Sequence, residues 1–308
     1  MRVAAGAFCG TDVHIAHGTL AVRTPRILGH ELAGTIAGIG PGVTGVDVGW
    51  RITTETDASF CGRCRFCLTG DMHLCAERTG IGTSADGGFA EYVALPAGGV
   101  HPLPAGVGLE AGALTEPLAV AVRAVVERGD VRGGERVAVI GPGTIGLLAA
   151  QVARTCGAEV VLVGRGRHQA RFQLALDLGI TSSIVVDNAG GPAGRLQAAG
   201  SFDAVLECSG SASAIRTGMD LLRKGGRLVL VGFHGAPAEL DVDAIINREL
   251  SLVASRGKRP TSFRLALEML GAGSIDTARL ITHRFAFADW QAAVEAAESP
   301  GTKVLLRM

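Results

Sequence analysis

The middle of the chain alternates short, continuous apolar runs with amphipathic stretches. Continuous apolar runs are typical of strands buried on both faces of a parallel sheet, and apolar positions three or four residues apart are typical of helices. The pattern predicts strands at 136–140, 160–163, 183–186, 204–208 and 227–231. It predicts helices at 147–155, 169–178 and 212–222. This alternation predicts an α/β Rossmann domain, with a parallel sheet covered by helices on both faces, over residues 119–259.

The segments on either side have a different pattern. Short apolar stretches separated by Gly and Pro predict strands at 2–4, 35–40 and 51–54 and a turn entering a strand at 87–93. Helical character follows at 110–128, with Pro117 near the first turn of a new helix. The C-terminal part predicts helices at 262–270 and 290–297 and a closing strand at 303–306. We expect 1–118 and 260–308 to form one irregular, mostly-β domain.

A Gly-x-Gly-x-x-Gly turn follows the first predicted parallel strand and opens a helix. It consists of Gly141, Gly143 and Gly146, with Thr144 and Ile145 before the last glycine. The glycines allow a tight turn, a close backbone approach to a pyrophosphate, and close helix–strand packing, while the helix N-terminus favours phosphate. The motif predicts dinucleotide binding; the alternative is a glycine-rich turn without a ligand.

The residues after the second parallel strand bear on the choice of dinucleotide. The usual acidic residue is absent there, and Arg165 and Arg167 follow the strand instead. A carboxylate would bind a ribose 2′-hydroxyl, whereas arginines favour a 2′-phosphate. The sequence therefore favours NADP over NAD, with solvated loop arginines as the alternative.

Four of the seven cysteines lie between residues 61 and 75. Cys61, Cys64, Cys67 and Cys75 have the spacing C-x2-C-x2-C-x7-C, which aims four sulfurs at one point. Four thiolates close a tetrahedron, so the spacing predicts a structural zinc site. An iron–sulfur cluster and a redox-active thiol cluster are the alternatives.

A second group of potential metal ligands lies near the N-terminus. Cys9, His30 and Glu31 offer a thiolate, an imidazole and a carboxylate, and a catalytic zinc takes three protein ligands of these types. Thr11 and His14 bring a hydroxyl and an imidazole within a turn of Cys9, as a proton relay from a bound alcohol requires. Alone, these residues fit equally a buried cysteine and a histidine satisfied within a turn.

Composition narrows the class of protein. The 308 residues include 29 Lys+Arg and 29 Asp+Glu, and aromatic residues make up 4%. Balanced charge and few aromatics argue against a nucleic-acid or membrane surface as the partner. The N-terminus has no long apolar segment typical of a signal peptide, and glycines and a proline interrupt the apolar run at 137–153. We expect a cytoplasmic protein.

Together these motifs resemble the zinc-dependent medium-chain dehydrogenases of the alcohol dehydrogenase superfamily, on the branch of threonine, sorbitol and related polyol dehydrogenases. The matching stretches occur in the family's order and are 9–14, 29–31, the cysteines at 61, 64, 67 and 75, 88–92, 116–118, 141–146 and 207–210. The resemblance implies a Rossmann domain plus a GroES-like catalytic domain, two zinc ions per chain, and a homo-oligomer, either a dimer or a tetramer.

The resemblance also implies residue roles. Cys9, His30 and Glu31 would hold the catalytic zinc. Glu116 would be a nearby fourth carboxylate that ligates zinc directly or lies just behind water. Thr11 and His14 would relay the proton, and Asp12 would orient His30. Cys61, Cys64, Cys67 and Cys75 would hold the structural zinc.

These roles predict hydride transfer between NAD(P) and a small alcohol, polyol, sugar or amino alcohol, with zinc polarising the substrate oxygen. The alternative is a catalytically silent NAD(P)-binding protein that retains only the structural zinc lobe. Family members have a longer segment before the first zinc cysteine than the eight residues present here. We therefore expect a start site placed too late or a truncated gene; a compact variant is the other interpretation.

Overall fold

The computed structural model describes residues 1–186, 201–298 and 303–308, which form two compact units. Unit 1 comprises Met1–Ala119 and Lys258–Met308, and unit 2 comprises Val120–Gly257. The divisions fall at 119/120 and 257/258; the sequence predicted 118/119 and 259/260. None of the helices within the described ranges is long and apolar enough to cross a membrane.

The secondary structure is as follows. The strands are β1 Arg2–Ala7, β2 Glu31–Thr35, β3 Arg51–Thr54, β4 Asp57–Ser59, β5 Thr79–Gly80, β6 Val100–Pro102, β7 Arg136–Ile140, β8 Glu159–Gly164, β9 Ser182–Val185, β10 Phe202–Glu207, β11 Leu222–Leu230, β12 Ser251–Ala254, β13 Ile281–Ala286 and β14 Lys303–Arg307. The helices are α1 Gly10–Ala16, α2 Arg65–Leu68, α3 Leu109–Ala113, α4 Thr115–Val122, α5 Thr144–Thr155, α6 Gln169–Asp177, α7 Ala212–Leu221, α8 Val242–Asn247, α9 Pro260–Gly271 and α10 Trp290–Glu298.

Unit 1 contains a six-stranded sheet in the order β13-β14-β1-β2-β3-β6. The pair β13–β14 is parallel and the others are antiparallel. The C-terminal strand β14 lies beside the N-terminal strand β1, so both ends of unit 1 contribute to one sheet. Phe8, Ala293, Val304 and Leu306 form an apolar cluster that packs α10 against this part of the sheet.

Unit 2 contains a six-stranded parallel sheet in the order β12-β11-β10-β7-β8-β9. The strand order reverses between β7 and β10, which is the switch point where open α/β sheets bind ligands. Phe202, Val205 and Leu228 are fully buried between the sheet and its helices. The Rossmann prediction is confirmed, with β12 as a further edge strand that the apolar pattern did not reveal.

Two strand predictions in unit 1 are wrong. The strand expected at 35–40 lies at Glu31–Thr35 instead. Gly34 allows this strand to approach β1, since an added Cβ would lie 2.1 Å from the Arg2 carbonyl oxygen. The segment 87–93 forms no strand, because the amides of Gly87 and Phe89 donate hydrogen bonds to the carbonyl oxygens of Ile27 and Leu28. A single bridge pairs its Tyr92 with Arg2.

Candidate metal and dinucleotide sites

The register of two neighbouring strands brings Cys9, His30 and Glu31 together. β1 ends at Ala7, which pairs with Glu31 at the start of β2. Cys9 follows two residues later and His30 precedes β2, so the three side chains share one edge of the sheet. One ligand atom from each lies within 4.8 Å of the other two, and His30 and Glu31 are buried.

Asp12 fixes the backbone around this cluster. Its buried carboxylate accepts hydrogen bonds from the amides of Cys9 (2.9 Å) and Gly29 (3.3 Å). The Nδ1 of His30 lies 3.6 Å from Asp12 Oδ1, and it has no hydrogen-bond partner within the described part of the chain. The Asp12 carboxylate therefore lies beside the His30 ring, which the resemblance implies that it orients.

The electrostatics of the cluster favour a cation. Burial lowers the pKa of His30, but the hydrogen bond with Cys9 and the negative charges of Cys9, Asp12 and Glu116 raise it to about 10. The protein thus places several potential anions around one buried imidazole. A thiolate, an imidazole and a carboxylate are also the donor types that zinc prefers, so the residues present fit a divalent metal.

Lys303 holds the Glu31 carboxylate. Its Nζ lies 2.7 Å from each carboxylate oxygen and donates a third hydrogen bond, 2.8 Å long, to the Phe8 carbonyl oxygen. Burial raises the pKa of Glu31 to about 7, against the opposing charge of Lys303. Sequence reasoning treated Lys303 only as part of the closing strand and missed this contact.

Glu116 lies near this cluster but pairs with a different lysine. It is buried in the first turn of α4, and its Oε1 accepts a hydrogen bond of 2.6 Å from Lys258. Burial raises its pKa, but the charges of Lys258 and His30 outweigh this and leave the pKa lowered. Its carboxylate does not belong to the group of three that lies within 4.8 Å.

The two predicted relay residues lie three positions apart on α1. Thr11 Oγ1 is 3.6 Å from Cys9 Sγ. His14 is exposed, and its Nδ1 lies 3.1 Å from Thr19 Oγ1. Thr11 is therefore adjacent to the candidate metal cluster, and His14 lies at the solvent side of the same helix.

The four cysteines at 61–75 converge on one point. The Sγ atom of Cys61 lies 3.8 Å from that of Cys67 and 3.6 Å from that of Cys75, and the Sγ atoms of Cys64 and Cys67 are 3.5 Å apart. Four sulfurs about 2.3 Å from one zinc would be about 3.8 Å from one another. Gly62 makes the required turn at φ +71°, and all four thiols are free. The spacing of these sulfurs fits a tetrahedral metal.

The glycine-rich turn has the tight contacts that the motif predicts. An added Cβ at Gly146 would lie 1.9 Å from the Gly141 carbonyl oxygen, and Gly141 itself has φ +102°. At Gly143 an added Cβ would meet no atom within 4 Å, so there is free space next to the backbone of this residue. Thr144 and Ile145 begin the twelve-residue helix α5. The turn therefore has the tight backbone contacts of the motif and lies at the switch point of unit 2.

A basic group lies where β8 ends. Arg165 and Arg167 are joined there by His168 and Arg171. Burial first, and then the three arginines, lower the pKa of His168. Its Nδ1 is buried without a hydrogen-bond partner among the residues described. Three arginines within residues 165–171 place positive charge at this end of the strand.

Comparison with known proteins agrees with both units. Residues 1–105 match the alcohol dehydrogenase GroES-like domain, and residues 144–272 match the zinc-binding dehydrogenase domain. A sorbitol dehydrogenase from Halalkalibacterium halodurans is 40% identical over 302 residues, covering 97% of this chain and 88% of that protein.

Solved structures have the same fold. A structure from Sinorhizobium meliloti 1021, described as a zinc-binding dehydrogenase bound to NADP, has a TM-score of 0.91 at 32% identity and covers 100% of this chain and 91% of that one. A short chain alcohol dehydrogenase from E. coli CFT073, complexed with NADH, has a TM-score of 0.91 at 29% identity, with coverage of 100% and 90%.

These similarities do not favour the catalytically silent alternative, because the relatives are dehydrogenases and the chain brings Cys9, His30 and Glu31 together. The two domain matches, the parallel sheet with its glycine-rich turn, and the mixed sheet that carries the metal-type ligands support one conclusion. The chain belongs to the zinc-binding medium-chain alcohol dehydrogenases, on the branch of threonine, sorbitol and related polyol dehydrogenases, and is an oxidoreductase.

Proposed function

We propose that this protein is a zinc-dependent dehydrogenase that transfers hydride between a small polyol, sugar or amino alcohol and NADP. The observation that carries the proposal is the convergence of Cys9, His30 and Glu31 in surroundings negative enough to raise the pKa of His30 to about 10. Such surroundings favour a bound cation. A zinc ion held by these three residues would supply Lewis acidity to a substrate oxygen.

The chain's own residues give this site its shape and its proton path. Lys303 orients Glu31, and Asp12 holds the backbone at Cys9 and Gly29. A carboxylate has about four lone-pair positions, so the bonds from Lys303 leave Glu31 able to bind a metal. Thr11, next to Cys9, accepts the substrate proton, and the exposed His14 passes it to solvent.

We assign the dinucleotide to unit 2. The amides at the start of α5 and the open side of Gly143 suit a pyrophosphate. Arg165 and Arg167, with His168 and Arg171 beside them, would bind a 2′-phosphate, because three guanidinium groups in one short segment favour an anion. This group is the reason to prefer NADP, since the structural relatives include both an NADP and an NADH complex.

The second metal belongs to the lobe of Cys61, Cys64, Cys67 and Cys75, whose sulfur spacing supports a structural zinc. The substrate class follows the names of the relatives, such as sorbitol dehydrogenase. A dimeric or tetrameric assembly and a cytoplasmic location stay predictions from the sequence.

Metal content tests the proposal directly. We expect two zinc ions per chain by elemental analysis, falling to one in Cys9→Ser and to one in Cys64→Ser. Cys156→Ser is the matched control, because Cys156 belongs to neither cluster, and it should keep both ions. NADP-linked oxidation of polyols should disappear in Cys9→Ser only. One zinc per chain in the wild type, retained in Cys9→Ser, would refute the catalytic site.

A further inference from the structure

A buried lysine contacts the carboxylate that the resemblance offers as a fourth metal ligand. Lys258 Nζ donates hydrogen bonds of 2.6 Å to Glu116 Oε1 and 2.6 Å to Thr56 Oγ1. All three residues are nearly inaccessible to solvent. Lys258 lies two residues before α9 and is 142 positions from Glu116 in the sequence, so no local motif revealed the pair.

The two glutamates of the site therefore differ in position, although each has its own lysine. Glu31, paired with Lys303, keeps an oxygen within 4.8 Å of the ligand atoms of Cys9 and His30. Glu116, paired with Lys258, does not belong to that group. A buried ammonium needs a charged partner, so Glu116 cannot leave Lys258 without exposing an uncompensated charge to a low-dielectric interior.

This arrangement bears on how a metal here would work. A catalytic zinc keeps three protein ligands and one open position, whereas a fourth protein ligand makes a closed, structural type of site. Glu116 is a further buried carboxylate of unit 1, and the charge of His30 helps to lower its pKa. A residue that keeps Glu116 away from the metal therefore leaves the fourth coordination position open.

We infer that Lys258 is a positioning residue that keeps Glu116 out of the metal's coordination shell and so leaves one position open for substrate. The inference rests on the proposed catalytic metal site at Cys9, His30 and Glu31. Thr56 serves as the second anchor, because its Oγ1 accepts the other hydrogen bond of the Lys258 ammonium. Within the described part of the chain, the Lys258 ammonium donates hydrogen bonds to Glu116 and Thr56 and not to Cys9, His30 or Glu31.

The first test replaces the lysine with an apolar side chain of similar length. In Lys258→Met, Glu116 loses its charge partner and should bind the metal. The visible spectrum of the cobalt-loaded protein should then change. The spectrum of cobalt-loaded Cys9→Ser is subtracted from it, which removes the contribution of cobalt in the four-cysteine lobe. Metal release to a chelator should slow by about tenfold, while the oxidation rate falls.

Slower metal release combined with lower activity separates this role from a merely structural one, because a damaged site would release its metal faster. The double variant Lys258→Met/Glu116→Gln should return both the spectrum and the release rate to wild-type values. Arg259→Gln is the matched control: it removes the neighbouring cation, which pairs with Asp71, and should leave the spectrum unchanged.

A second variant keeps the inference testable if Lys258→Met does not fold. Glu116→Gln retains an acceptor for Lys258 and removes the carboxylate charge. Because Glu116 is not a ligand while Lys258 is present, this variant should keep wild-type cobalt spectrum and metal release. A changed spectrum in Glu116→Gln, or an unchanged one in folded Lys258→Met, would overturn the inference. Absence of any Cys9-dependent metal in the wild type would instead refute the proposed function.

Discussion

Lys303 at the start of β14 reaches across β1 to contact both carboxylate oxygens of Glu31 on β2 at 2.7 Å. Both side chains are almost completely buried. Removing one partner of such a pair strands the other charge in the interior. Lys303→Met should therefore lower the free energy of unfolding by about 3–5 kcal/mol, as measured by urea denaturation of the metal-loaded protein.

Lys224→Met is the control for this substitution, because Lys224 is exposed. It should change the stability by less than about 0.5 kcal/mol. A loss of stability in Lys303→Met no greater than in Lys224→Met would mean that the pair contributes nothing to the fold.

The glycine-rich turn separates an effect on the fold from an effect on the ligand. Gly146→Ala places a Cβ 1.9 Å from the Gly141 carbonyl oxygen and should destabilise the protein by about 1–3 kcal/mol. Gly143→Ala meets nothing within 4 Å and has an ordinary φ of −81°, so stability should stay near wild type.

Cofactor affinity should respond differently from stability at these two glycines. If the backbone at Gly143 approaches the pyrophosphate, Gly143→Ala should weaken NADP binding while its melting temperature is unchanged. Fluorescence titration with NADPH and thermal unfolding together give both quantities. Normal NADPH binding in Gly143→Ala would place the pyrophosphate elsewhere.

The basic group after β8 predicts cofactor preference. Each charge-assisted hydrogen bond to a phosphate is worth about 1.5–3 kcal/mol. Arg165→Ala and Arg167→Ala, each made singly, should therefore raise KM for NADP by about tenfold to a hundredfold, with KM for NAD nearly unchanged. Arg132→Ala, an exposed arginine of the same unit paired with Asp130, should affect neither cofactor. Equal losses with NADP and NAD would contradict a 2′-phosphate role.

A pH-dependent contribution to stability comes from Glu110. Burial alone would raise its pKa, but hydrogen bonds from Arg284 and Arg307, which lie on β13 and β14, together with their charges lower it overall. A carboxyl with a lowered pKa stabilises the fold above its ordinary pKa, and this contribution disappears as the pH falls through the lowered value. The pair is partly exposed, so we expect about 0.5–1 kcal/mol.

Glu110→Gln should accordingly melt at a lower temperature than wild type at neutral pH, and the difference should vanish in acid. Calorimetric melting temperatures across the acid range check this. A difference that persists or grows at low pH would assign the effect of the substitution to packing instead of charge.

The sequence by itself determined the features that depend on neighbouring residues. The apolar run at 136–140 and the glycines at 141, 143 and 146 identified a phosphate-binding strand–turn–helix, and the structure has it at β7 and α5. The four-cysteine spacing likewise predicted sulfurs that converge, because each C-x2-C step forms a local turn. These motifs work through contacts within a few residues, so their pattern is visible along the chain.

Tertiary structure decided the partners of the buried charges. Lys303 and Lys258 are 272 and 142 residues from the glutamates that they contact, and each resembles an ordinary surface lysine in sequence. Only the placement of β14 beside β1 puts Lys303 within reach of Glu31. A buried ammonium must find a carboxylate, but which one it finds depends on strand order and register, and a single sequence does not encode these locally.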